Sequence, residues 1–565
     1  MAGLETKYKK DMDVLCPHSY HPRPSFRRDK YLSLGGEWDF CVGKDGESPI
    51  YNEKITVPFP PESPLSGIFR QIARDETMYY KRSVTLPPEM RKDRIILHLG
   101  AVDETCEIRI SGKPVGAHCG GYLPFSFDIT PYLAGEGFTV EVIAKDTLGR
   151  KYPYGKQTDK RGGMWYTPVS GIWQSVWLEA RPVENAVESL KITPISDGVI
   201  IEIEGGAPKK RIILEDSGQS VDFTGAECVI RPENLVKWSP ECPKLYYFTL
   251  ESGEDVIHSY FAVREIGIAE IDGYPRLTLN GEPYVFNGLL DQGYYPDGLF
   301  LPPTADCYLD DIRLAKALGF NMLRKHIKIE PDIFYYLCDR EGIAVFQDMV
   351  NNGVYSFIRD TALPTLGLQK RKDKRLHRDK ETRRIFEETM LGTADLLYNH
   401  PSVVYYTIFN EGWGQFSSDK MYKKLREKDG TRIIDSTSGW FRGHESDVDS
   451  RHVYFKRLKA GKRESKPLVI SEFGGYSYRV EGHLFSEKNY GYRLFSEREK
   501  FEEAFFDLYR NEVAPLVKEG ASAFVYTQLS DVEDETNGLV SYDREIVKVD
   551  KEKCKLIMKE IFSNK

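Results

Sequence analysis

The chain divides by the grammar of its apolar positions. From about residue 25 to residue 182, short β-branched and aromatic runs are broken by Gly and Pro, and no helical period emerges. Ser33–Phe40, Met78–Leu86, Arg94–Leu99, Thr105–Ile110 and Phe138–Ala144 are the clearest strands, and the stretch Ile110 to Val115 reads as a hairpin with a polar tip. This spacing predicts a β-sandwich of jelly-roll type over residues 1–182. Residues 183–267 repeat the pattern on a smaller scale, with strands at Val187–Thr193, Gly198–Glu204, Arg211–Glu215 and Leu245–Leu250, which suits an immunoglobulin-like β-sandwich.

Beyond residue 267 the pattern changes. Strand-like runs at Tyr284–Leu289, Asn321–Arg324, Ile343–Phe346, Val403–Phe409, Thr431–Asp435, His452–Phe455, Leu468–Ser471 and Ala523–Thr527 alternate with amphipathic helices such as Asp306–Leu318, Glu381–Tyr398 and Arg498–Lys518. That alternation is expected of a (β/α)8 TIM barrel over residues 268–565. The fold class is therefore multidomain, all-β followed by α/β.

Two of the barrel runs end on acids. Val403–Phe409 is uncharged, β-branched and aromatic, the profile of a strand buried on both faces, and Asn410 and Glu411 follow before Gly412 stops it. Leu468–Ser471 leads in the same way to Glu472 ahead of Gly474 and Gly475. A lone Glu after a strand is ordinarily a solvated loop residue. Two of them on one barrel rim, with Trp413, Phe473 and Tyr476 beside them, are the arrangement that hydrolyses a glycosidic bond and binds a sugar face.

Composition narrows the field without choosing. A chain of 565 residues is too long for one core. Its net charge of −8 spread over that length gives no electrostatic footprint for nucleic acid or an anionic membrane. The basic run from Lys370 to Lys380 is the local exception and reads as a solvated loop before a helix. Nine scattered cysteines without a CxxC pair imply reduced thiols and no structural zinc. The amino terminus has no apolar signal segment and no stretch is long enough to span a bilayer, so a cytoplasmic location is expected. Neither cofactor nor metal is called for. A carbohydrate is the expected partner, and self-association stays open.

Ordered matches along the chain resemble glycoside hydrolase family 2, the family of β-galactosidases, β-glucuronidases and β-mannosidases. Leu34-Gly-Gly-Glu-Trp-Asp-Phe40 is similar to its amino-terminal opening, and Gly112-Lys-Pro-Val-Gly116, Gly120 to Asp128 and Ser170 to Leu178 resemble its sugar-binding domain. Gly319-Phe-Asn-Met-Leu-Arg324 resembles the second barrel strand, and His400-Pro-Ser-Val-Val404 through Asn410-Glu411 resembles the acid/base signature. The resemblance implies Glu411 as general acid/base, Glu472 as nucleophile, Asn410 as the contact to the sugar 2-hydroxyl, and Tyr454 as the donor that holds Glu472. A turn-capping role is the alternative for Asn410 and simple packing for Tyr454. Arg324, His326 and His452 read equally as pocket residues or as structural hydrogen-bonding groups. Asp291, Trp413 and Tyr526 complete the substrate-binding candidates.

Departures from the family pattern bear on the sugar. Lys325-His326-Ile327-Lys328 replaces a Ser-His-Tyr-Pro-like stretch, Leu290-Asp291-Gln292-Gly293-Tyr294 replaces a His-Glu, and Tyr526-Thr527 stands where Trp is commoner. The Asn-x-Lys clamp of glucuronidases has no counterpart, and the corresponding stretch is Glu535-Thr-Asn-Gly538. A buried substrate carboxylate needs a paired cation, so the expectation is a retaining exo-β-glycosidase of the galactosidase type. The alternatives are a β-glucuronidase, β-galacturonidase or β-mannosidase and, from another class, a non-catalytic carbohydrate-binding protein. Asp531, Glu533 and Asp534 read by default as a solvated loop.

Overall fold

The structure is a computed structural model describing residues 3–46, 48–366, 368, 373–461 and 465–562. The basic run of Lys370 to Lys380 begins on residues 370 to 372, outside that set; its described part is mostly exposed and leads into a helix at Lys380.

The first unit packs two antiparallel sheets face to face. Six strands run in the order Glu53–Val57, Gly36–Lys44, Glu76–Thr85, Gly137–Lys145, Thr105–Ile110, Lys113–Cys119, and four run in the order Tyr31–Ser33, Val176–Arg181, Arg94–Leu99, Phe125–Asp128. Strict alternation along Gly137–Lys145 sends Phe138, Val140, Val142 and Ala144 inward against Ile95, Leu97 and Leu178 of the other sheet. The expected hairpin turns on Ser111 and Gly112, both at positive φ, as a two-residue connection between right-twisted strands requires. A second sandwich follows, with sheets of three and four strands between Val187 and Phe261 around a core that includes Ile201, Ile212 and Phe248.

The last unit is a parallel barrel. Its strands are β1 (Phe286–Asp291), β2 (Met322–Lys325), β3 (Ala344–Asp348), β4 (Val403–Asn410), β5 (Ile433–Ser438), β6 (Asp449–Val453), β7 (Leu468–Gly474) and β8 (Ala523–Thr527). They are ordered β5-β4-β3-β2-β1-β8-β7-β6, and β5 and β6 meet to close the ring. Side chains of one parity, among them Leu290, Met322, Phe346, Val469 and Val525, fill the barrel, while Leu289, Leu323, Val345, Ile470, Phe524 and Tyr526 face the surrounding helices. The long helix expected at Arg498–Lys518 is two helices, Arg498–Leu508 and Ala514–Lys518, joined by a π-helical turn at Tyr509–Val513. Pro515 near the start of the second piece lacks an amide proton and cannot continue the ladder, so the turn widens ahead of it.

β5 and β6 lie a few residues from their expected positions because they are lined by hydroxyls rather than aliphatics. Ser450 Oγ is 2.7 Å from Ser471 Oγ, and Ser438 Oγ donates to Ser471 Oγ at 3.0 Å. Small polar residues bonded to one another in a barrel interior carry no hydrophobic signature.

The His400-Pro401 step that introduces β4 is a junction of three elements. His400 Nδ1 lies 2.7 Å from Asp339 Oδ2, which also accepts from Tyr260 of the second sandwich at 2.8 Å, and Asp339 Oδ1 accepts from Ser402 N at 2.8 Å. Burial alone would lower the His400 pKa; the carboxylates of Asp339 and Asp332 reverse this and raise it to about 10 from an ordinary 6.5. A raised folded-state pKa contributes stability that is complete below pH 6.5 and is lost as pH rises through 10. Thermal denaturation of wild type and His400→Gln should therefore differ most in mildly acidic buffer, with the gap closing toward pH 10. A gap independent of pH would refute the charged imidazole.

Candidate functional site

β4 delivers Asn410 and then breaks. Glu411 has φ +51 and Gly412 φ +76, two successive left-handed residues that turn the chain at the barrel rim. Such a conformation is unusual for Glu and persists only where surroundings enforce it. Here Glu411 N donates to Ser438 O at 3.0 Å, Trp440 Nε1 donates to Glu411 O at 3.0 Å, and Trp413 N donates to Asn410 O at 2.9 Å. A side chain at 412 would collide with the Phe441 ring, with a Cβ only 2.3 Å from it, so glycine is required by space as well as by φ.

Glu472 owes its direction to a β-bulge. Ile470 and Phe473 both face the helices and pair with successive outward residues Phe524 and Tyr526 of β8, leaving Ser471 and Glu472 together opposite a single β8 position. Both then point into the barrel. Strict alternation would have sent Glu472 outward.

The two carboxylates meet through a buried network. Arg324 on β2 donates to Asp348 Oδ1 at 2.9 Å, Glu472 Oε1 at 3.1 Å, Asn410 Oδ1 at 2.8 Å and Ser471 O at 2.8 Å. The Tyr454 hydroxyl donates to Glu472 Oε2 and lies 3.0 Å from Thr527 Oγ1. His452 stands between the acids, its Nδ1 2.8 Å from Glu411 Oε1 and 3.5 Å from Glu472 Oε2, and its Nε2 2.9 Å from Ser438 Oγ. An oxygen of Glu411 and one of Glu472 come within 4.8 Å of each other. His326 Nδ1 is 2.7 Å from Asp348 Oδ2, and burial pushes its pKa down to about 4, which keeps the ring neutral.

The environments drive the two acids apart. Burial raises the Glu411 pKa, and the nearby Glu472 charge adds to this against the hydrogen bond from His452. For Glu472 burial alone would also raise it, but the imidazole of His452 and the guanidinium of Arg324 reverse the direction and hold it below the usual carboxylate value. The carboxyl that is harder to ionise thus faces the one that ionises more readily across a shared cavity.

That cavity is lined by Asn410, Glu411, Trp413, Tyr454, Glu472 and His326, together with Lys156, Met164, Leu290, Gln292, Tyr490, Tyr492, Thr527, Glu535 and Asn537. Arg324 and His452 support it through the contacts above. The remaining candidates sit elsewhere. Asp291 shares the parity of Leu289, faces the helices, and is bound to Lys325 Nζ at 2.6 Å. Tyr526 is likewise outward, its ring against Phe505 and Phe473, and its neighbour Thr527 lines the cavity instead. Asp531, Glu533 and Asp534 are buried rather than solvated: Asp531 accepts from Lys548 at 2.6 Å, Glu533 from Thr167 N at 2.8 Å and Asp534 from Ser486 Oγ at 2.6 Å. They pin the loop after β8 to its neighbours.

Lys156 and Met164 come from the first sandwich and carry no strand or helix period that would single them out. The signal available was length: residues 146–170 form a long connection between sheet strands, the kind that carries function. The connection crosses to the barrel, with Tyr154 N donating to Asn351 O at 3.1 Å, Tyr154 Oη to Gly353 O at 2.9 Å, and Trp165 stacked on Trp413 at 5.4 Å.

Sequence comparisons agree with this architecture. Residues 28–182 match the sugar binding domain of glycosyl hydrolases family 2, and residues 276–557 match its TIM barrel domain. A β-galactosidase of Aeromonas hydrophila is 26% identical over 447 residues, covering 72% of this chain, while the chain spans only 40% of that protein. In structure, a β-D-glucuronidase of Dictyoglomus thermophilum superposes with a TM-score of 0.76 at 18% identity, covering 96% of this chain and 100% of its own. A β-galacturonidase of Eisenbergiella tayi, bound to galacturonate, superposes with a TM-score of 0.70 at 19% identity, covering 96% and 99%. With both of its domain signatures matched in order across most of its length, the chain belongs to glycoside hydrolase family 2.

Proposed function

We propose that this chain is a retaining exo-β-glycosidase that works by double displacement. The observation that carries the reading is the approach of Glu411 and Glu472 to within 4.8 Å, the short separation of an enzyme whose second carboxylate attacks the sugar directly. An inverting enzyme leaves about 6.5 Å or more for a water.

Glu472 attacks the anomeric carbon while Glu411 gives its proton to the departing glycosidic oxygen, which leaves a covalent glycosyl ester on Glu472. Arg324 and Tyr454 keep the nucleophile ionised and aimed before attack. Esterification removes the Glu472 charge that raised the Glu411 pKa, so Glu411, now deprotonated, takes a proton from water. The water oxygen attacks the anomeric carbon, Glu472 departs, and configuration is restored. Asn410, held by Arg324, is positioned to bond the sugar 2-hydroxyl as charge develops.

The sugar has two readings. The galactosidase type follows the curated relative and the missing Asn-x-Lys clamp. A β-uronide is favoured by Lys156, a cation at the cavity wall that the sequence pattern did not reveal.

Glu472→Gln should abolish turnover of nitrophenyl glycosides. Glu411→Gln should lose on the order of 10² to 10⁴-fold on poor leaving groups and much less on nitrophenolates. NMR of the first-formed product should show the β-anomer; the α-anomer would sink the retaining mechanism. The pH profile of kcat/KM should be bell-shaped, its acidic limb below the ordinary Glu range from Glu472 and its alkaline limb above it from Glu411. Because the imidazole lowers both acids, His452→Asn should move both limbs to higher pH.

A further inference from the structure

Lys156 is the one Lys or Arg among the described residues that line the cavity holding Glu411 and Glu472. It is buried, 7% exposed, yet its ammonium donates no hydrogen bond among the described residues. Its ion-pair partner, Glu535, stands 3.9 Å away, beyond hydrogen-bond reach. The ring of Tyr166 lies 5.5 Å from the nitrogen and supplies only a weak cation–π contact. A buried ammonium with three unused donors is costly unless an anion meets it.

The surrounding groups do not satisfy that demand. Glu535 already accepts from Tyr166 at 3.0 Å and from Gln528 at 3.1 Å, and burial raises its pKa, which weakens it as a counter-ion. Arg324 is committed to Asp348, Glu472 and Asn410, and His326 is neutral, so neither can take a ligand's charge in its place. The position of Lys156 is itself enforced. Gly155 has φ +61, and a Cβ there would lie 3.1 Å from Ile327 O, so the loop rests directly on the barrel backbone. Lys156 O accepts from Tyr166 N at 3.0 Å, and the next residue, Gln157, donates to Tyr122 at 3.2 Å and Asp103 at 3.3 Å.

Building on the glycosidase reading, we propose that Lys156 selects the sugar by pairing with a carboxylate carried on C5 of the pyranose, which makes the preferred substrates β-linked uronic acids. A single ammonium beside Glu535 fits a monoanion. A dianionic sugar phosphate would need more donors than this wall provides. The recognition element therefore belongs to the amino-terminal sandwich, while the reacting carboxylates belong to the barrel.

The test compares 4-nitrophenyl β-D-glucuronide and β-D-galacturonide with the β-D-galactoside, β-D-glucoside and 6-phospho-β-D-galactoside on wild type, Lys156→Met and Lys156→Arg. Wild type should favour a uronide. Lys156→Met should cost about 100-fold in kcat/KM on that uronide, the scale of losing a buried charged contact, and a clearly smaller factor on neutral hexosides, with partial recovery in Lys156→Arg. Equal losses on all substrates, or wild-type preference for a neutral or phosphorylated sugar, would overturn the assignment. A measurement that needs neither variant nor turnover is inhibition or calorimetric binding of free glucuronate and galacturonate against their uncharged amides. The acids should bind at least about tenfold more tightly, and equal affinity would overturn the proposal. Hydrolysis that survives Glu472→Gln would instead refute the glycosidase reading and leave the acid-over-amide comparison to judge Lys156 by itself.

Discussion

One buried guanidinium organises the carboxyl end of the barrel strands. Arg324 is 1% exposed, and four hydrogen bonds to four different residues fix it. A charge so placed is tolerable only if its partners surround it, so the position of Arg324 dictates where Asp348, Asn410 and Glu472 must lie. The lowered pKa of Glu472 follows from that enclosure, and Glu411, which has no guanidinium partner among the described residues, is shifted the other way.

The barrel also shows how closure and chemistry share side chains. Between β5 and β6 the ring is bridged by Ser438, whose Oγ reaches Ser450 at 3.4 Å and His452 at 2.9 Å. The same His452 contacts Glu411. The imidazole that tunes the acids is therefore also part of the joint that completes the wall, and its orientation is set by strand geometry rather than by a mobile loop.

Much of this was legible in the residues. β4 and β7 announced themselves as uninterrupted apolar runs ending in an acid, because a strand buried on both faces leaves no room for polar alternation. β5 and β6 were displaced because Ser438, Ser450 and Ser471 pack a polar interior that hydropathy cannot register. Asp291 and Tyr526 miss the cavity by a single residue of parity: at a strand end, one position separates the cavity from the helix layer, and the lining residues are Leu290, Gln292 and Thr527. Glu472 points into the cavity against strict alternation only because a bulge turns it inward, and no local pattern predicts that. Lys156 was invisible for another reason, since it lies far along the chain from every barrel strand and reaches the site through tertiary packing alone.

On the proposed reading, the crossing of the 146–170 connection from sandwich to barrel separates two jobs, holding the acids and meeting the substrate's charge. At the ends of β4 and β7 the inward residues Asn410, Ser471 and Glu472 are each tied by hydrogen bonds to other strands, which leaves little room for change. The connection is pinned too, at Tyr154, Gly155, Gln157 and Trp165, but those ties leave the end of the Lys156 side chain out of the network around Glu411 and Glu472. On that reading, a change of sugar preference asks for a new side chain at position 156 and leaves the hydrogen bonds that hold Glu411 and Glu472 as they are.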